Sequence, residues 1–240
     1  MGSLPAGAEY PQIPNSISVS TVLLEECRLT SAVIGGAIVA NLREVKTSKG
    51  LVKPQDSILI GIDVQTAFAC KLRPVDAQGI AVRIGWLIGA ARWLDIPVVM
   101  TAEDLPRLRG PMEEVAQWLP AGTLAHNKMV FDLTEEPDIV KAVRDTGRRC
   151  AVLVGFETDV CIAQSAIGMI RLGHRVVVLA DCCGSPGDAH AAGLQRMTAE
   201  GVLILPMRSL LYEWLRTVER SQRFREEFVS RHPLPEGLIL

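Results

Sequence analysis

The stretch Ser57-Ile58-Leu59-Ile60-Gly61-Ile62-Asp63 decides the fold of this chain. Its apolar residues run without a break for the length of a buried strand, and a carboxylate follows directly. Apolar residues at helical spacing come next, from Ile80 to Leu94, and Pro97 to Met100 forms a second apolar run. Continuously apolar strands that alternate with helices are typical of a parallel sheet covered on both faces. The pattern therefore predicts an α/β fold.

The alternation of strands and helices continues along the rest of the chain. Thr123-Leu124-Ala125 is a candidate for a short third strand, and further strands are predicted at 151–154, 175–180 and 202–205. Helices are predicted at 138–144, 160–172, 189–199 and 209–220, the last as a single closing helix. In a sheet of this kind, ligands bind beyond the carboxyl ends of the strands. The residues that follow each strand are therefore the first candidates for a functional site.

The pattern divides the chain into three segments. Residues 1–50 are an N-terminal extension of uncertain structure, residues 51–225 form the main domain, and residues 226–240 form a C-terminal tail. The longest early stretch without a charge, residues 29–42, has 14 residues, fewer than the ~18–20 that span a bilayer. No basic segment precedes an apolar one at the N-terminus, so we expect no signal peptide and a cytoplasmic protein.

Composition argues against several classes of protein. A net charge of −2 gives no electrostatic reason to expect nucleic acid or an anionic membrane as a partner. The six cysteines include no Cys-x-x-Cys pair, which argues against zinc-ribbon and thioredoxin-type sites. The first strand leads into Gly61-Ile62-Asp63-Val64-Gln65-Thr66 and not into Gly-x-Gly-x-x-Gly, so a dinucleotide-binding domain is not predicted.

Three strand ends carry residues that could react. Asp63 ends the first strand, Lys128 follows the third, and Cys161 comes after the fourth. Thr158 or Asp159 is expected to cap the helix there, which places Cys161 in a first turn where the helix dipole favours a thiolate. Taken singly, each residue also has an ordinary structural explanation. Asp63 could cap a loop, Lys128 could be a surface charge, and Cys161 could be a small buried packing residue. Their joint placement favours a nucleophile beside a base and a cation that lowers the pKa of the thiol.

The segment from Ser57 to Val218 resembles the isochorismatase-like cysteine hydrolases, a superfamily that includes nicotinamidases, ureidoacrylate amidohydrolases and N-carbamoylsarcosine amidases. The motifs that carry this resemblance are Asp63-x-Gln65-x-x-Phe68, Lys128-x-x-Phe131 and Gly155-x-x-Thr158-x-x-Cys161. The resemblance covers about two-thirds of the chain. It implies a Rossmann-like three-layer α/β/α fold with a mainly parallel six-stranded sheet and a catalytic triad of Asp63, Lys128 and Cys161.

The resemblance also bears on the surroundings of the triad. It implies a non-proline cis peptide bond between Phe156 and Glu157, and an oxyanion hole formed by the backbone N–H groups of Glu157 and Cys161. Candidate substrate-binding residues are Gln65, Phe68 and Trp118.

We expect neither a catalytic metal nor another cofactor. Nicotinamidases hold a metal through histidines after the second strand, whereas residues 101–109 of this chain contain no histidine. Glu103 and Asp104 could bind a hard cation, although a solvated loop is the commoner explanation of such a pair.

These features predict a metal-independent cysteine hydrolase that cleaves a small amide, ureide or carbamoyl C–N bond through a thioester. We expect a small-molecule substrate and a homo-oligomer, a dimer or a tetramer. Two alternatives stay open. One is an isochorismatase-type vinyl ether hydrolase, in which the aspartate acts as the acid, and the other is a catalytically idle oligomeric binding protein. The sequence does not identify the substrate.

Overall fold

The computed structural model describes residues 50–120 and 122–240 of the chain. Its strands are β1 (Ser57–Ile62), β2 (Val98–Glu103), β3 (His126–Lys128), β4 (Cys150–Phe156), β5 (Arg175–Gly184) and β6 (Leu203–Leu205). Its α-helices are α1 (Thr66–Ala69), α2 (Pro74–Trp93), α3 (Leu105–Leu108), α4 (Glu113–Ala116), α5 (Pro137–Asp145), α6 (Ala163–Arg171), α7 (Ala189–Ala199), α8 (Met207–Leu215) and α9 (Val218–Phe224). Short turns of 3₁₀-helix lie at Pro54–Asp56 and Leu133–Glu135, and π-helical turns lie at Thr158–Ile162 and Arg225–Val229. Apart from Gly50, the predicted N-terminal extension lies outside the described residues.

The strands of the described residues form one six-stranded sheet in the order β3-β2-β1-β4-β5-β6. Each neighbouring pair in that order is parallel, which confirms the predicted fold class. The first strand lies between β2 and β4 and pairs with both, so its backbone is enclosed by other strands. Gly155 in β4 has a φ of 130°, and a side chain there would meet the carbonyl of Ile62. That glycine permits the close approach of the two central strands.

The core has one half on each face of the sheet. Leu59 of β1 packs on the face covered by α2, whereas Ile58 and Ile60 pack on the face covered by α5 and α6. Burial on both faces is the reason that this strand is continuously apolar rather than alternating. Each such side chain contributes roughly 1.5–3 kcal/mol when it is fully buried. The result is the three-layer α/β/α arrangement that the sequence predicts.

The third strand is not where the sequence places it. We predict it at 123–125, but β3 comprises His126–Lys128 and pairs with β2, while Leu124 is exposed. An edge strand pairs with another strand on one side only and borders solvent on the other, so its residues need not be apolar. Apolar patterning therefore gives no signal for β3.

The prediction of a single closing helix at 209–220 is also wrong, because two helices occupy residues 207–224. The first ends at Leu215, and Arg216 adopts a φ of 67°, which a continuous α-helix does not allow. Thr217 then caps α9 by accepting a hydrogen bond from the N–H of Arg220.

Residues after α9 contribute to the same core as α2. Phe228 and Leu238 are buried within it, and the indole N–H of Trp86 donates to the carbonyl of His232 at 3.0 Å. The domain boundary that we place at residue 225 stays a prediction. None of the helices in the described part of the chain combines the length and the apolar composition needed to cross a bilayer.

Candidate active site

Four charged or reactive side chains meet at the carboxyl edge of the sheet. Asp63 directly follows β1, and the register of β2 and β3 places Glu103 opposite Lys128. Cys161 lies in the π-helical turn after β4. Because parallel strands all end at the same edge, residues up to about a hundred positions apart in the sequence become neighbours.

Lys128 lies at the centre of this group. Its Nζ is 2.6 Å from Oδ2 of Asp63 and 3.6 Å from Sγ of Cys161, and both charged side chains are fully buried. The ammonium also donates to the carbonyl of Val130 at 3.0 Å. Burial alone would lower the pKa of Lys128, but Asp63, Cys161 and Glu103 together hold that pKa above its ordinary value. The lysine therefore stays charged although its side chain is fully buried.

Asp63 has the environment of a general base. Its Oδ1 accepts a hydrogen bond from the hydroxyl of Thr101 at 3.2 Å. Burial raises the pKa of Asp63 above its ordinary value, although the Lys128 ammonium acts in the opposite direction. Both partners of the ion pair have raised pKa values because burial outweighs the single nearby cation for Asp63, whereas the groups around Lys128, the carboxylates of Asp63 and Glu103 among them, outweigh burial for the lysine. A raised pKa makes this carboxylate a better acceptor for the proton of a thiol.

The expected stabilisation of a Cys161 thiolate is wrong. Burial raises the pKa of the Cys161 thiol to about 12, with Asp63 and Glu103 acting in the same direction and Lys128 against them. The sequence predicts the helix terminus and the lysine, but it does not predict a sulfur that is 1 % exposed and faces two carboxylates. At neutral pH this thiol is protonated, so it needs a base to become a nucleophile.

The predicted helix cap before Cys161 is also wrong. Neither Thr158 nor Asp159 caps the π-helical turn, whose preceding residue makes no side-chain cap either. The Thr158 hydroxyl instead lies 2.8 Å from Nδ1 of His190, and the Asp159 carboxylate accepts a hydrogen bond from Ser185 at 2.6 Å. Both polar groups find tertiary partners around the start of α7, and these contacts hold the turn that presents the thiol.

Glu103 also belongs to this group of side chains. From the sequence it is predicted only as a possible cation ligand. Its Oε2 lies 3.8 Å from Nζ of Lys128 and 3.9 Å from Sγ of Cys161. Its side chain is 19 % exposed, whereas those of Asp63 and Lys128 are fully buried. The signal that could have identified it is its position at the end of β2, next to the strand that ends in Lys128.

The geometry does not support Gln65 as a substrate-binding residue. Both of its amide hydrogens are used, because Nε2 donates to the carbonyls of Glu103 at 2.9 Å and Arg109 at 2.7 Å. Its Oε1 accepts the N–H of Glu103 at 2.8 Å. Gln65 is fully buried and joins the loop after β1 to the end of β2. Its partners lie about 40 positions away in the chain, so the sequence motif does not reveal them.

Trp118 packs in the core and not in the site. It packs in an aromatic cluster, with ring centroids 4.9 Å from His232 and 6.2 Å from Phe228. Gly85 and Gly89 of α2 leave the space that its ring occupies. These contacts make Trp118 part of the packing between α2 and the C-terminal residues, and they do not support a role in binding substrate.

The peptide bond between Phe156 and Glu157 is cis, as the resemblance implies. The carboxylate of Glu157 pairs with Lys71 at 2.9 Å, and the Lys71 ammonium lies 5.0 Å from the ring centroid of Phe68. Phe68 itself is 6 % exposed. The oxyanion hole from the N–H groups of Glu157 and Cys161, and the contact of Phe68 with substrate, stay predictions.

One set of side chains at this edge could hold a metal ion. Ligand atoms of Asp63, Glu103 and Cys161 all lie within 4.8 Å of one another. The ammonium of Lys128, however, lies 2.6 Å from Asp63 and 3.8 Å from Glu103, and it would repel a second cation in the same space. Asp104 pairs with Arg107 at 2.7 Å. The donor set therefore fits the lysine better than it fits a metal.

Comparison with known proteins agrees with this fold. A family model described as "Isochorismatase domain" matches residues 57–208. The chain belongs to the isochorismatase family. It is 27 % identical over 202 residues to Isochorismatase domain-containing protein 2A of Mus musculus. The alignment covers 81 % of this chain and 92 % of that protein.

Solved structures show the same fold at lower identity. The YcaC gene product of Escherichia coli, described as an octameric hydrolase of unknown specificity, gives a TM-score of 0.69 at 20 % identity over 76 % of this chain and 91 % of that one. YcaC of Pseudomonas aeruginosa, solved with hexane-2,5-diol and covalent acrylamide, gives 0.66 at 23 % identity over 72 % and 86 % of the two chains. The chain thus shares its fold with these structures.

Proposed function

We propose that this protein is a metal-independent cysteine hydrolase that cleaves a C–N bond of a small amide, ureide or carbamoyl compound. The observation that carries the proposal is the fully buried Asp63–Lys128 ion pair, whose ammonium lies 3.6 Å from the sulfur of Cys161. A nucleophile in contact with a charged pair that contains a base is the arrangement that nucleophilic acyl transfer requires. Membership of a hydrolase superfamily supports the same conclusion.

In the proposed reaction, Asp63 removes the proton of the Cys161 thiol. Lys128 stabilises the negative charge first on the Asp63 carboxylate and then on the Cys161 thiolate. The thiolate forms a bond to the carbonyl carbon of the substrate, and the carbonyl electron pair moves to oxygen. The N–H groups of Glu157 and Cys161 stabilise that oxyanion, and a single donor of this kind contributes about 3 kcal/mol in the transition state.

The intermediate then collapses to a thioester. The C–N bond breaks, and Asp63 returns its proton to the departing nitrogen. Water next attacks the thioester, Asp63 accepts a proton from that water, and the leaving thiolate of Cys161 regains a proton from Asp63. The raised pKa values of Asp63 and Cys161 suit this sequence, because the resting thiol is neutral and the carboxylate is basic enough to accept its proton.

We also propose that the protein forms a homo-oligomer. The apolar side chains of Leu124, Met129 and Phe131 are 83 %, 65 % and 51 % exposed, and they flank the edge strand β3. Exposed apolar groups beside an open sheet edge favour a protein partner. A second copy of this chain is the simplest such partner, since a neighbour of the same fold is described as an octamer.

The experiment that tests the function is a screen of small amides, ureides and carbamoyl compounds for ammonia or amine release. Positive reactions are quenched in acid, and the acyl group is located by mass spectrometry of protein fragments. We expect an acyl adduct on Cys161 in the wild-type protein and none in Cys161→Ala. Turnover that survives in Cys161→Ala, or release of pyruvate from isochorismate without any C–N cleavage, would contradict the proposal.

A further inference from the structure

We propose that Glu103 determines the specificity of the site, because it accepts N–H groups of the substrate and excludes substrates with a carboxylate beside the reacting carbonyl. This inference rests on the proposed function, since it concerns the molecule that reacts with Cys161. It narrows the substrate class to neutral or cationic compounds with N–H donors next to the reacting carbon.

Exposure decides which charged group a substrate can reach. Asp63 and Lys128 are fully buried, whereas 19 % of the Glu103 side chain is open. Among the described residues that surround the sulfur, Glu103 is therefore the charged side chain that an incoming molecule meets. Its Oε2 is 3.9 Å from Sγ of Cys161. A nitrogen one bond away from a carbon that is attached to the sulfur lies within hydrogen-bonding reach of that oxygen.

Hydrogen bonds with Gln65 fix the backbone of Glu103. Gln65 accepts the N–H of Glu103 at 2.8 Å and donates to its carbonyl at 2.9 Å. The parallel register fixes Glu103 next to Lys128 on the neighbouring strand. These contacts fix the backbone position from which the Glu103 side chain reaches Lys128 at 3.8 Å and Cys161 at 3.9 Å.

The balance of charge explains the selection against anions. Two carboxylates and one ammonium surround the sulfur, and the ammonium is committed to Asp63 at 2.6 Å. A substrate carboxylate beside the sulfur would therefore face the Glu103 carboxylate, while the ammonium nearest to the sulfur is already paired with Asp63, and like charges in contact are unfavourable. An amide, ureide or amine N–H would instead find an acceptor. The anionic substrate of a vinyl ether hydrolase such as isochorismatase does not match this arrangement.

The test compares two alkylating reagents of similar size and different charge. Iodoacetamide is neutral and carries N–H groups, whereas iodoacetate is an anion. The rate of Cys161 alkylation by each reagent is measured at pH 8.5 by mass spectrometry, and the ratio of the two rates is the selectivity. Cys70 is an exposed free thiol and gives the ratio for an unselective cysteine in the same molecule.

We expect the selectivity of Cys161 for iodoacetamide to exceed that of Cys70 by about tenfold, the order expected of one unfavourable charge contact. Glu103→Gln removes the charge and is expected to bring the ratio of Cys161 close to that of Cys70. Glu103→Asp keeps the charge and is expected to keep most of the selectivity. Glu200→Gln is the matched control, because Glu200 is exposed and follows α7 at the opposite edge of the sheet.

The outcomes separate this inference from the function on which it rests. A wild-type Cys161 whose ratio equals that of Cys70, or a Glu103→Gln variant with an unchanged ratio, overturns the inference and leaves the cysteine hydrolase proposal standing. A wild-type protein that turns over substrates of the screen without any acyl adduct on Cys161 overturns the hydrolase proposal, and the inference falls with it.

Discussion

Cys161 and Cys183 are two buried thiols of one sheet that differ in their neighbours. They are 1 % and 3 % exposed, and burial raises the pKa of each thiol to about 12. The sulfur of Cys161 lies 3.6 Å from an ammonium and faces a carboxylate, whereas the sulfur of Cys183, at the end of β5, lies 4.0 Å from the carbonyl of Leu153. Neither burial nor the raised pKa distinguishes the two thiols. The carboxylates and the ammonium near Cys161 do, and they are the reason that we propose Cys161, and not Cys183, as the nucleophile.

The largest expected effect comes from replacing each of these cysteines with alanine. Cys161→Ala should lower kcat by roughly 10⁶-fold, as when another hydrolase loses its nucleophile. Cys183→Ala removes one buried sulfur and should leave kcat within a few-fold, with a loss of stability of about 1 kcal/mol. Both variants are assayed for C–N cleavage with a substrate from the screen. Equal losses of activity would show that the environment of Cys161 has no special role.

The next effect concerns the ion pair that Cys161 has and Cys183 lacks. Lys128→Met leaves the buried carboxylate of Asp63 without its counter-ion, so we expect a loss of about 3–5 kcal/mol in the free energy of unfolding. Adding Asp63→Asn removes the uncompensated group and should restore much of that stability, although the double variant stays inactive. Urea unfolding measures both changes. A Lys128→Met variant as stable as the wild type would show that the pair is not sealed from water.

A smaller effect is expected in the pH dependence of the reaction. Asp63 must be ionised to accept the thiol proton, and burial raises its pKa. The value of kcat/KM should therefore fall as the pH drops through that raised pKa, at a pH above the ~4 of an ordinary aspartate. The same shift makes protonated Asp63 a stabilising group at low pH, and that contribution is lost as the pH rises through the folded-state pKa. An acid limb at or below pH ~4 would contradict the assignment of Asp63 as the base.

Removal of metal ions by a chelator is expected to leave kcat unchanged. The protein is dialysed against EDTA, and its C–N cleavage is compared with that of an untreated sample and of one resupplied with zinc or manganese. Because the Lys128 ammonium occupies the space between Asp63 and Glu103, kcat should be the same in all three samples. Loss of activity that is restored by a metal would mean that the site contains more than the ion pair and the thiol.

The central part of the fold could be predicted because burial leaves a local pattern. β1 pairs with a strand on each side and has no polar side chain from Ile58 to Ile62, so its sequence predicts its place. The edge strand β3 is covered on one side only and has no such pattern. The break between α8 and α9 depends on the backbone angle of a single residue, Arg216, whose side chain gives no sign of it.

The chemistry of the site divides in the same way. The sequence identifies Asp63, Lys128 and Cys161 as candidates because each lies at or after the end of a strand, in a motif with its own spacing, and the structure brings the three together. The position of Glu103 beside the sulfur, the hydrogen bonds of Gln65 to backbone groups and the raised pKa of Cys161 come only from the tertiary structure. The strength of an electrostatic interaction depends on the separation of atoms and on their exposure to water. Between residues distant in the chain, both quantities are set only when the strands have paired.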